Sequence, residues 1–149
     1  MKKAIMYGVT LIFLFTSISC GPSSLSDYKP KNQAEQEIKS LRIEYMACRN
    51  RHDLEGVLAL FHDDAKITID EPGMVALKQP SITKEQSRKA WAQLFESFPR
   101  IIFTNPEMEV TGNEAVVNFR MGVIGVEMGC CQHLVKENDR WLITEFTAL

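Results

Sequence analysis

Residues 45–65, YMACRNRHDLEGVLALFHDDA, decide the fold that the sequence predicts. Asp53 is a helix cap, because a short side-chain oxygen there accepts hydrogen bonds from free backbone N–H groups one turn on. Leu54, Val57, Leu58 and Phe61 follow at i, i+3, i+4 and i+7, the spacing of one helical face. We predict a helix that ends at residues 62–64, and a strand over residues 66–70, where apolar and polar residues alternate.

A first helix is predicted upstream. Its apolar residues recur in steps of four and three, which puts them on one inward stripe. They are Ala34, Ile38, Leu41, Tyr45 and Cys48. The off-stripe residues of this helix are Glu35, Lys39, Glu44 and Arg49. A third helix begins at a capping box formed by Thr83 and Gln86, carries an aromatic face, and ends before Pro99.

The rest of the chain reads as strands. Alternating segments at residues 100–108, 115–124, 126–136 and 140–148 are separated by turn residues, and a short return strand is expected at 74–77. Helices followed by an antiparallel meander predict an α+β domain. Its three N-terminal helices would pack on one face of a curved, mostly antiparallel sheet, which makes a cone-shaped architecture.

The N-terminus is typical of an exported protein. Lys2 and Lys3 precede an apolar run at residues 4–18, shorter than the roughly 20 residues of a comfortable membrane span. Residues 17–21, SISCG, resemble a bacterial lipobox, although plain secretion is the alternative. We expect a signal peptide at residues 1–19, lipidation of Cys20, a flexible tether over 20–33, and one domain at 34–149. The protein would then be anchored by lipid to a bacterial envelope membrane and face the periplasm or exterior.

Composition and charge exclude several classes of function. The formal net charge is −2 and no run of Lys or Arg occurs, so a nucleic-acid partner is not expected. His52, His62 and His133 fall at a helix junction, a helix end and an outward strand position. Because these histidines do not converge, no metal site and no cofactor are predicted.

Residues 34–149 resemble the nuclear transport factor 2-like superfamily, which includes ketosteroid isomerases, SnoaL-type cyclases and binding-only members. The resemblance lies in Tyr45, the segment DLEG at 53–56, the segment DDA at 63–65 and the segment NEA at 113–115. It implies a cone-shaped pocket between the helices and the sheet. The same pocket serves many functions in this superfamily, so the resemblance is specific for fold and not for chemistry.

The ketosteroid isomerase pattern can be carried over at three positions. Its tyrosine oxyanion donor matches Tyr45, and its second donor, an acid in the family, matches Gln132. Its general-base aspartate falls on Ile69, and Asp70 matches only if the strand contains one extra residue. Both Tyr45 and Asp70 also have structural interpretations, as a buried core tyrosine and as a turn residue.

Strand alternation then predicts the pocket wall. If Gln132 faces the pocket, so do the residues two positions away on its strand and their counterparts on the neighbouring strands. The strand residues of the predicted lining are Val117, Phe119, Met121, Met128, Cys130, Leu134, Leu142, Thr144 and Phe146. Trp91 of the third helix is interpreted first as a core aromatic and second as part of the pocket wall. This lining is mainly apolar and suits a small hydrophobic ligand.

Two functions remain open at the level of sequence. The first is a non-catalytic envelope lipoprotein whose domain binds a small apolar ligand or a partner. The second is an isomerase or lyase in which Asp70 removes a proton while Tyr45 and Gln132 stabilise an oxyanion. A third possibility, a purely structural dimer, predicts a filled core.

Two further expectations concern contacts. Cys48 and Cys130 are expected to be neighbours close enough for a disulfide bond. The resemblance also implies a homodimer through the outer face of the sheet. Its apolar contact would be supplied by Trp141, Ile143, Ile124 and Val135.

Overall fold

The computed structural model describes residues 24–69, 81–97, 100–123 and 125–148. Within them lie three helices, α1 (Gln33–Arg51), α2 (Leu54–Leu58) and α3 (Lys84–Ser97). The strands are β1 (Phe61–Ile69), β2 (Ile82–Thr83), β3 (Ile102–Thr111), β4 (Glu114–Val123), β5 (Val126–Glu137) and β6 (Arg140–Ala148). Asp70 and the return strand expected at 74–77 lie outside the described residues, so the structure does not test them.

The strands form one mixed sheet in the order β2-β1-β6-β5-β4-β3. All neighbouring pairs are antiparallel except β1 and β6, which run parallel. The predicted meander is β3 to β6, and β1 and β2 extend the sheet beyond it. The predicted α+β class, with helices on a curved and mostly antiparallel sheet, is confirmed.

The second helix is shorter than the periodicity indicates. It ends at Leu58, and Phe61 begins β1. Phe61 pairs with Ile143 of β6, and the N–H of Ile143 donates to the carbonyl oxygen of Leu60 at 2.9 Å. The prediction that the helix ends at residues 62–64 is wrong, because this parallel pairing takes over the backbone that the apolar spacing assigns to the helix.

Helix caps match the sequence signals. Asp53 accepts a hydrogen bond from Gly56 N at 2.8 Å, and Thr83 and Gln86 form the reciprocal capping box. Gly56 is required by the tight junction of α1 and α2. A Cβ atom at Gly56 would lie 2.4 Å from Asp53 Oδ2 and 2.8 Å from Cys48 Sγ.

Two irregular strands shape the sheet. The pairing of β3 with β4 shifts register between Thr104 and Glu107, and Asn105 between them has a φ of 49°. The pairing of β5 with β6 shifts after His133, so that Thr144 is an extra residue in β6. Extra residues bend a strand and increase its twist, which lets the sheet curve around α1.

The bulge at Thr144 overturns part of the predicted alternation. One extra residue in a strand reverses which sheet face the side chains on its far side occupy. Trp141 and Ile143 are therefore buried, and Leu142 pairs with Val135 on the outer face. Trp141 and Ile143 therefore do not supply an outer contact surface. Ile124 lies outside the described residues, and Val135 is half-buried.

Residues 24–32 pack against the domain. Leu25 is buried in the core, and Ser24 forms a bridge with Thr104 of β3. Lys39 Nζ donates to the carbonyl oxygens of Ser26 and Tyr28. The expectation of a flexible tether over 20–33 is thus wrong for residues 24–32. Among the described residues, no helix is long and apolar enough to cross a bilayer.

Candidate functional site

The inward face of α1 is wider than the five-residue stripe. Alongside Ile38, Leu41, Tyr45 and Cys48, the structure buries Arg42 and Arg49. Each arginine directly follows an apolar stripe residue, and a core-facing helix presents a face about 100° wide. The assignment of Arg49 and Glu35 to the outer face is therefore wrong. Two cationic side chains enter the space between α1 and the sheet.

Tyr45 is the centre of the aromatic interior. Its ring stacks on Phe103 with a centroid separation of 5.7 Å and meets Trp91 edge-on at 6.2 Å. Phe61 and Phe146 complete the contacts at 6.3 and 6.2 Å. Only 1% of Tyr45 is exposed, as the inward-facing prediction requires. Its hydroxyl lies in the interior, beneath the helix and over the sheet.

The Tyr45 hydroxyl is buried and has no hydrogen-bond partner among the described residues. Burial raises the pKa of Tyr45 above its ordinary value, even though the positive charges of Arg49 and Arg42 act to lower it. The group therefore keeps its proton at physiological pH. It is a free hydrogen-bond donor that faces the interior.

Arg42 lies between two phenylalanine rings. Its guanidinium carbon is 3.6 Å from the ring centroid of Phe119 and 4.6 Å from that of Phe103. Its Nη1 donates to the side-chain oxygen of Gln132, while Nε and Nη2 are buried with no partner within the described chain. Burial lowers the pKa of Arg42 to about 9, so the side chain remains a cation at neutral pH.

Arg49 repeats this environment two turns along α1. Its guanidinium carbon lies 4.7 Å from the ring centroid of Phe95 and 5.6 Å from that of Trp91. Burial lowers its pKa. Its Nε and Nη1, and the indole N–H of Trp91, are buried without a hydrogen-bond partner in the described residues. The aromatic faces offset part of the cost of burying the charge.

The interior cations have no carboxylate partner within the described ranges. Each ion pair there joins side chains with substantial exposure, such as Arg88 with Glu55 and Lys84 with Asp63. Neither Arg42 nor Arg49 takes part in one. Among the described residues, the interior thus combines two unpaired positive charges with an apolar aromatic wall.

The structure brings most of the predicted pocket residues to the concave side of the sheet. Gln132 is buried opposite Val117 of β4 and Phe146 of β6. Met128, another predicted wall residue on this side, is half-buried. The remaining ones are buried, and they are Trp91, Phe119, Met121 and Cys130. Their role as a ligand pocket stays a prediction.

Two predicted site residues are not brought to this interior. Thr144 lies at the β6 bulge, where its hydroxyl donates to the carbonyl oxygen of His133 at 3.2 Å. It borders an open groove on the outer sheet face with the charged residues Glu114 and Glu145, so the prediction that Thr144 lines the interior is wrong. The proposed base Asp70 lies outside the described residues.

Cys48 and Cys130 are not neighbours in a disulfide bond. Both are buried free thiols, and Cys131 is also free. Cys48 contacts the junction of α1 and α2, where Arg51 Nη2 lies 3.6 Å from its sulfur. Cys130 lies beside the Arg42 charge, and burial raises its pKa to about 12. The structure therefore has no disulfide bond between Cys48 and Cys130.

Sequence reasoning missed the two arginines. An amphipathic helix is expected to turn its charged residues to solvent, so the apolar stripe does not predict that Arg42 and Arg49 are buried. The available signal was their spacing, since residues 42 and 49 share the helical face of Tyr45 at i−3 and i+4. Within the described part of the chain, no group of His, Cys, Asp or Glu side chains is arranged to hold a metal ion.

Comparison with known proteins identifies the family and the fold. Residues 43–143 match the SnoaL-like domain family. No curated protein matches the chain. A nuclear transport factor 2-like protein from Cytophaga hutchinsonii aligns with a TM-score of 0.63 and 15% identity, over 79% of this chain and 99% of that one.

Two other solved structures are similar. A protein of unknown function with a cystatin-like fold from Nostoc punctiforme has a TM-score of 0.63 and 18% identity, over 76% of this chain and 88% of that one. A candidate dehydratase of the same nuclear transport factor 2-like family from Streptomyces avermitilis has a TM-score of 0.62 and 15% identity, over 76% and 92%. At these identities the similarity establishes the fold alone.

Proposed function

The chain belongs to the SnoaL-like domain family and has the nuclear transport factor 2-like fold, and from that premise we propose that it is a non-catalytic binding domain. Its interior binds one small, mainly apolar molecule. The observation that carries this proposal is a set of buried polar atoms that lie at the aromatic cluster and have no partner among the described residues. They belong to Arg42, Tyr45, Arg49, Trp91 and Gln132.

Unpartnered polar atoms are costly in a protein core. Each buried donor without an acceptor costs about 1–3 kcal/mol relative to the same group in water, and charged groups cost more. Five such residues around one aromatic cluster indicate that the domain is completed by something that enters it. A ligand with an apolar body and a few acceptor atoms meets both requirements, because the rings bind the body and the donors bind the acceptors.

The alternative is catalysis by an isomerase or lyase of the ketosteroid isomerase type. The observation that favours it is that the Tyr45 hydroxyl and Gln132 Nε2 are both free donors, as an oxyanion site requires. Two features weigh against it. The raised pKa of Tyr45 makes it a weaker acid, and no described carboxylate stands beside it as a base. Catalysis needs Asp70, so loss of turnover in Asp70→Asn with binding retained would support the enzyme.

Binding is tested with neutral apolar ligands and the emission of Trp91. The chain has two tryptophans, so Trp141→Phe leaves Trp91 as the reporter in the interior. Titration with toluene and with 3-phenylpropanamide should give a saturable emission change and a stoichiometry of one by calorimetry. Absence of saturable binding for both ligands contradicts the proposal.

Adjacent valines on β4 provide a matched control. Val117 is fully buried, and Val116 is half-buried with its side chain on the opposite face of the strand. Val117→Phe should fill the interior and abolish binding, whereas Val116→Phe should leave the affinity unchanged. Circular dichroism of both variants separates filling of the interior from unfolding. Equal effects of the two substitutions would indicate a site outside the interior.

We also propose that the domain is held at a bacterial envelope membrane by lipid on Cys20. The packing of residues 24–32 supports a short attachment, because Leu25 is five residues from Cys20 and an extended chain spans at most about 3.6 Å per residue. Mass spectrometry of the mature N-terminal peptide tests this. A diacylated Cys20, lost in Cys20→Ser together with membrane fractionation, is the expected result. An unmodified Cys20 in the mature protein contradicts it.

We also propose a homodimer through the outer sheet face, with a contact surface that differs from the one expected from the sequence. Trp141 and Ile143 are unavailable to it, and the groove there is bordered by charged and polar residues, including Glu114, His133 and Glu145. A contact with this composition would be polar and sensitive to salt. Light scattering at low and high ionic strength tests it, and a monomer under both conditions would contradict the dimer.

A further inference from the structure

Arg42 presents one complete edge of its guanidinium to the interior. Nη1 is engaged by the Gln132 oxygen, whereas Nε and Nη2 have no partner among the described residues. The N–H groups of Nε and Nη2 point the same way from one edge of the planar group. This edge binds the two oxygens of a carboxylate with two parallel hydrogen bonds.

Gln132 both orients Arg42 and extends this donor edge. Its oxygen accepts from Nη1, which holds the guanidinium plane against the ring of Phe119. Its own Nε2 is buried and has no partner in the described chain. The amide of Gln132 therefore adds a third unpaired donor on β5 beside the Arg42 guanidinium.

The surrounding charge also favours an anion. Arg42 and Arg49 are buried cations, and within the described ranges no carboxylate pairs with either one. Seven residues of helix separate them, about 10 Å along the axis. One small carboxylate would thus contact Arg42 and not Arg49, whose charge adds to the positive potential of the interior.

We propose that the ligand of this interior is a monocarboxylic acid with an apolar body, whose carboxylate binds to Nε and Nη2 of Arg42 and to Nε2 of Gln132. This inference rests on the proposed function, because it names the ligand class of the same interior. The apolar body packs against the cluster in which the Tyr45 ring contacts Phe103 and Phe146. A planar group with two oxygens and a single charge fits the donor edge and is less costly to desolvate than a dianion such as phosphate.

The test compares two ligands of nearly the same shape that differ in charge. 3-Phenylpropanoate and 3-phenylpropanamide are titrated into the full-length Trp141→Phe chain at pH 7, and binding is followed by Trp91 emission and calorimetry. The acid should bind at least tenfold more tightly than the amide. In Arg42→Met the acid should lose at least tenfold more affinity than the amide loses.

Three variants make the result specific. Arg120 is exposed and pairs with Glu127 on the surface, so Arg120→Met matches the change in net charge and should leave both affinities unchanged. Arg42→Lys keeps the positive charge but cannot donate two parallel hydrogen bonds from a planar group. It should therefore retain only part of the preference for the acid over the amide. Gln132→Glu introduces an internal carboxylate beside Arg42 and should abolish binding of the acid while the amide still binds.

The outcomes separate this inference from the proposed function. If acid and amide bind equally, or if Arg42→Met and Gln132→Glu leave the preference for the acid intact, the anion site is overturned and the binding domain stands. If neither ligand binds to the unsubstituted interior, both proposals fail. If Arg42→Met does not fold, Gln132→Glu and Arg42→Lys decide the result.

Discussion

The side-chain oxygen of Gln132 accepts a hydrogen bond from Nη1 of Arg42, a residue 90 positions earlier in the chain. This bond joins the inward face of α1 to the concave face of β5. It leaves Nε and Nη2 of Arg42 and Nε2 of Gln132 buried without partners within the described residues. The interior is thus organised around a polar group that the described part of the chain satisfies only in part.

Replacing Arg42 with an apolar side chain should stabilise the protein without ligand. A buried charge carries a desolvation cost, and well-packed apolar replacements of buried ions are often neutral or stabilising by about 1–4 kcal/mol. We expect Arg42→Met to leave the free energy of unfolding unchanged or raise it by about 1–3 kcal/mol, measured by urea denaturation. Arg120→Met, on the surface, should change it by less than about 0.5 kcal/mol. A loss of more than about 3 kcal/mol in Arg42→Met would mean that Arg42 is a structural residue.

Binding of the acid should weaken at high pH. Burial lowers the pKa of Arg42 to about 9, so the cation that attracts a carboxylate is fully present at pH 7 and is lost as the pH rises through that value. The titratable groups that act on Arg42 are Tyr45 and Cys130, and Arg49 is the other buried cation of the interior. The raised pKa values of Tyr45 and Cys130 keep both neutral across this range, and the lowered pKa of Arg49 acts in the same direction as that of Arg42.

The affinity for 3-phenylpropanoate should therefore be constant from pH 6 to pH 8 and fall above pH 9, whereas the affinity for the amide should not change. Isothermal titration at each pH measures both. An acid affinity that stays constant to pH 10 while the protein remains folded would indicate that Arg42 is not the anion partner.

Asn50 should anchor the start of β3. Its side-chain amide donates to the carbonyl oxygen of Ile101 at 3.2 Å and accepts from the Ile101 N–H at 2.8 Å, so one side chain satisfies two backbone groups. Asn50→Ala removes both bonds and should lower the free energy of unfolding by about 1–3 kcal/mol. Asn50→Asp keeps the side-chain acceptor, so its free energy of unfolding should fall by less than that of Asn50→Ala. If Asn50→Ala and the unsubstituted protein have the same free energy of unfolding in urea, water replaces the two hydrogen bonds of the Asn50 side chain.

Glu35 should hold the N-terminal segment in a pH-dependent way. Its carboxylate accepts from the Lys31 N–H at 2.8 Å and from the Tyr28 hydroxyl at 2.7 Å. These bonds, that of Lys31 first, lower the pKa of Glu35 below its ordinary value of 4.5. The resulting stability is present above pH 4.5 and is lost as the pH falls through the lowered pKa.

Glu35→Gln should remove this pH dependence and increase amide hydrogen exchange in residues 25–32. Lys39 would still contact Ser26 and Tyr28, so the segment should loosen without global unfolding. Glu44→Gln is the control, because Glu44 is an exposed carboxylate on the same helix. Unchanged exchange in Glu35→Gln at pH 7 would contradict this role.

Short-range sequence patterns predict the helices and strands and part of the interior. The capping residues Asp53 and Thr83 and the inward position of Tyr45 follow from short-range patterns, and the structure has them as predicted. Residues such as these depend only on neighbours within a few positions. A single sequence therefore carries enough information to locate them.

The predictions are wrong where the pairing of strands that are distant in the sequence determines the structure. The bulge at Thr144 comes from the pairing of β5 with β6, and one extra residue reverses the facing of Trp141 and Ile143. The parallel pairing of β1 with β6 likewise shortens α2. Arg42 was missed because burial of a charged residue depends on the rings and the amide that surround it, which are contributed by Phe103, Phe119 and Gln132.

The most direct measurement of the central claim is the Nε–H signal of Arg42 in the NMR spectrum of the ¹⁵N-labelled chain, assigned by its loss in Arg42→Met. A carboxylate bound at Nε and Nη2 forms a strong hydrogen bond to this proton. Addition of 3-phenylpropanoate should move the proton signal downfield to a saturable limit, and 3-phenylpropanamide should leave it near its starting position. A signal that does not move while the acid saturates the Trp91 emission would show that the ligand binds without Arg42 and would contradict the account.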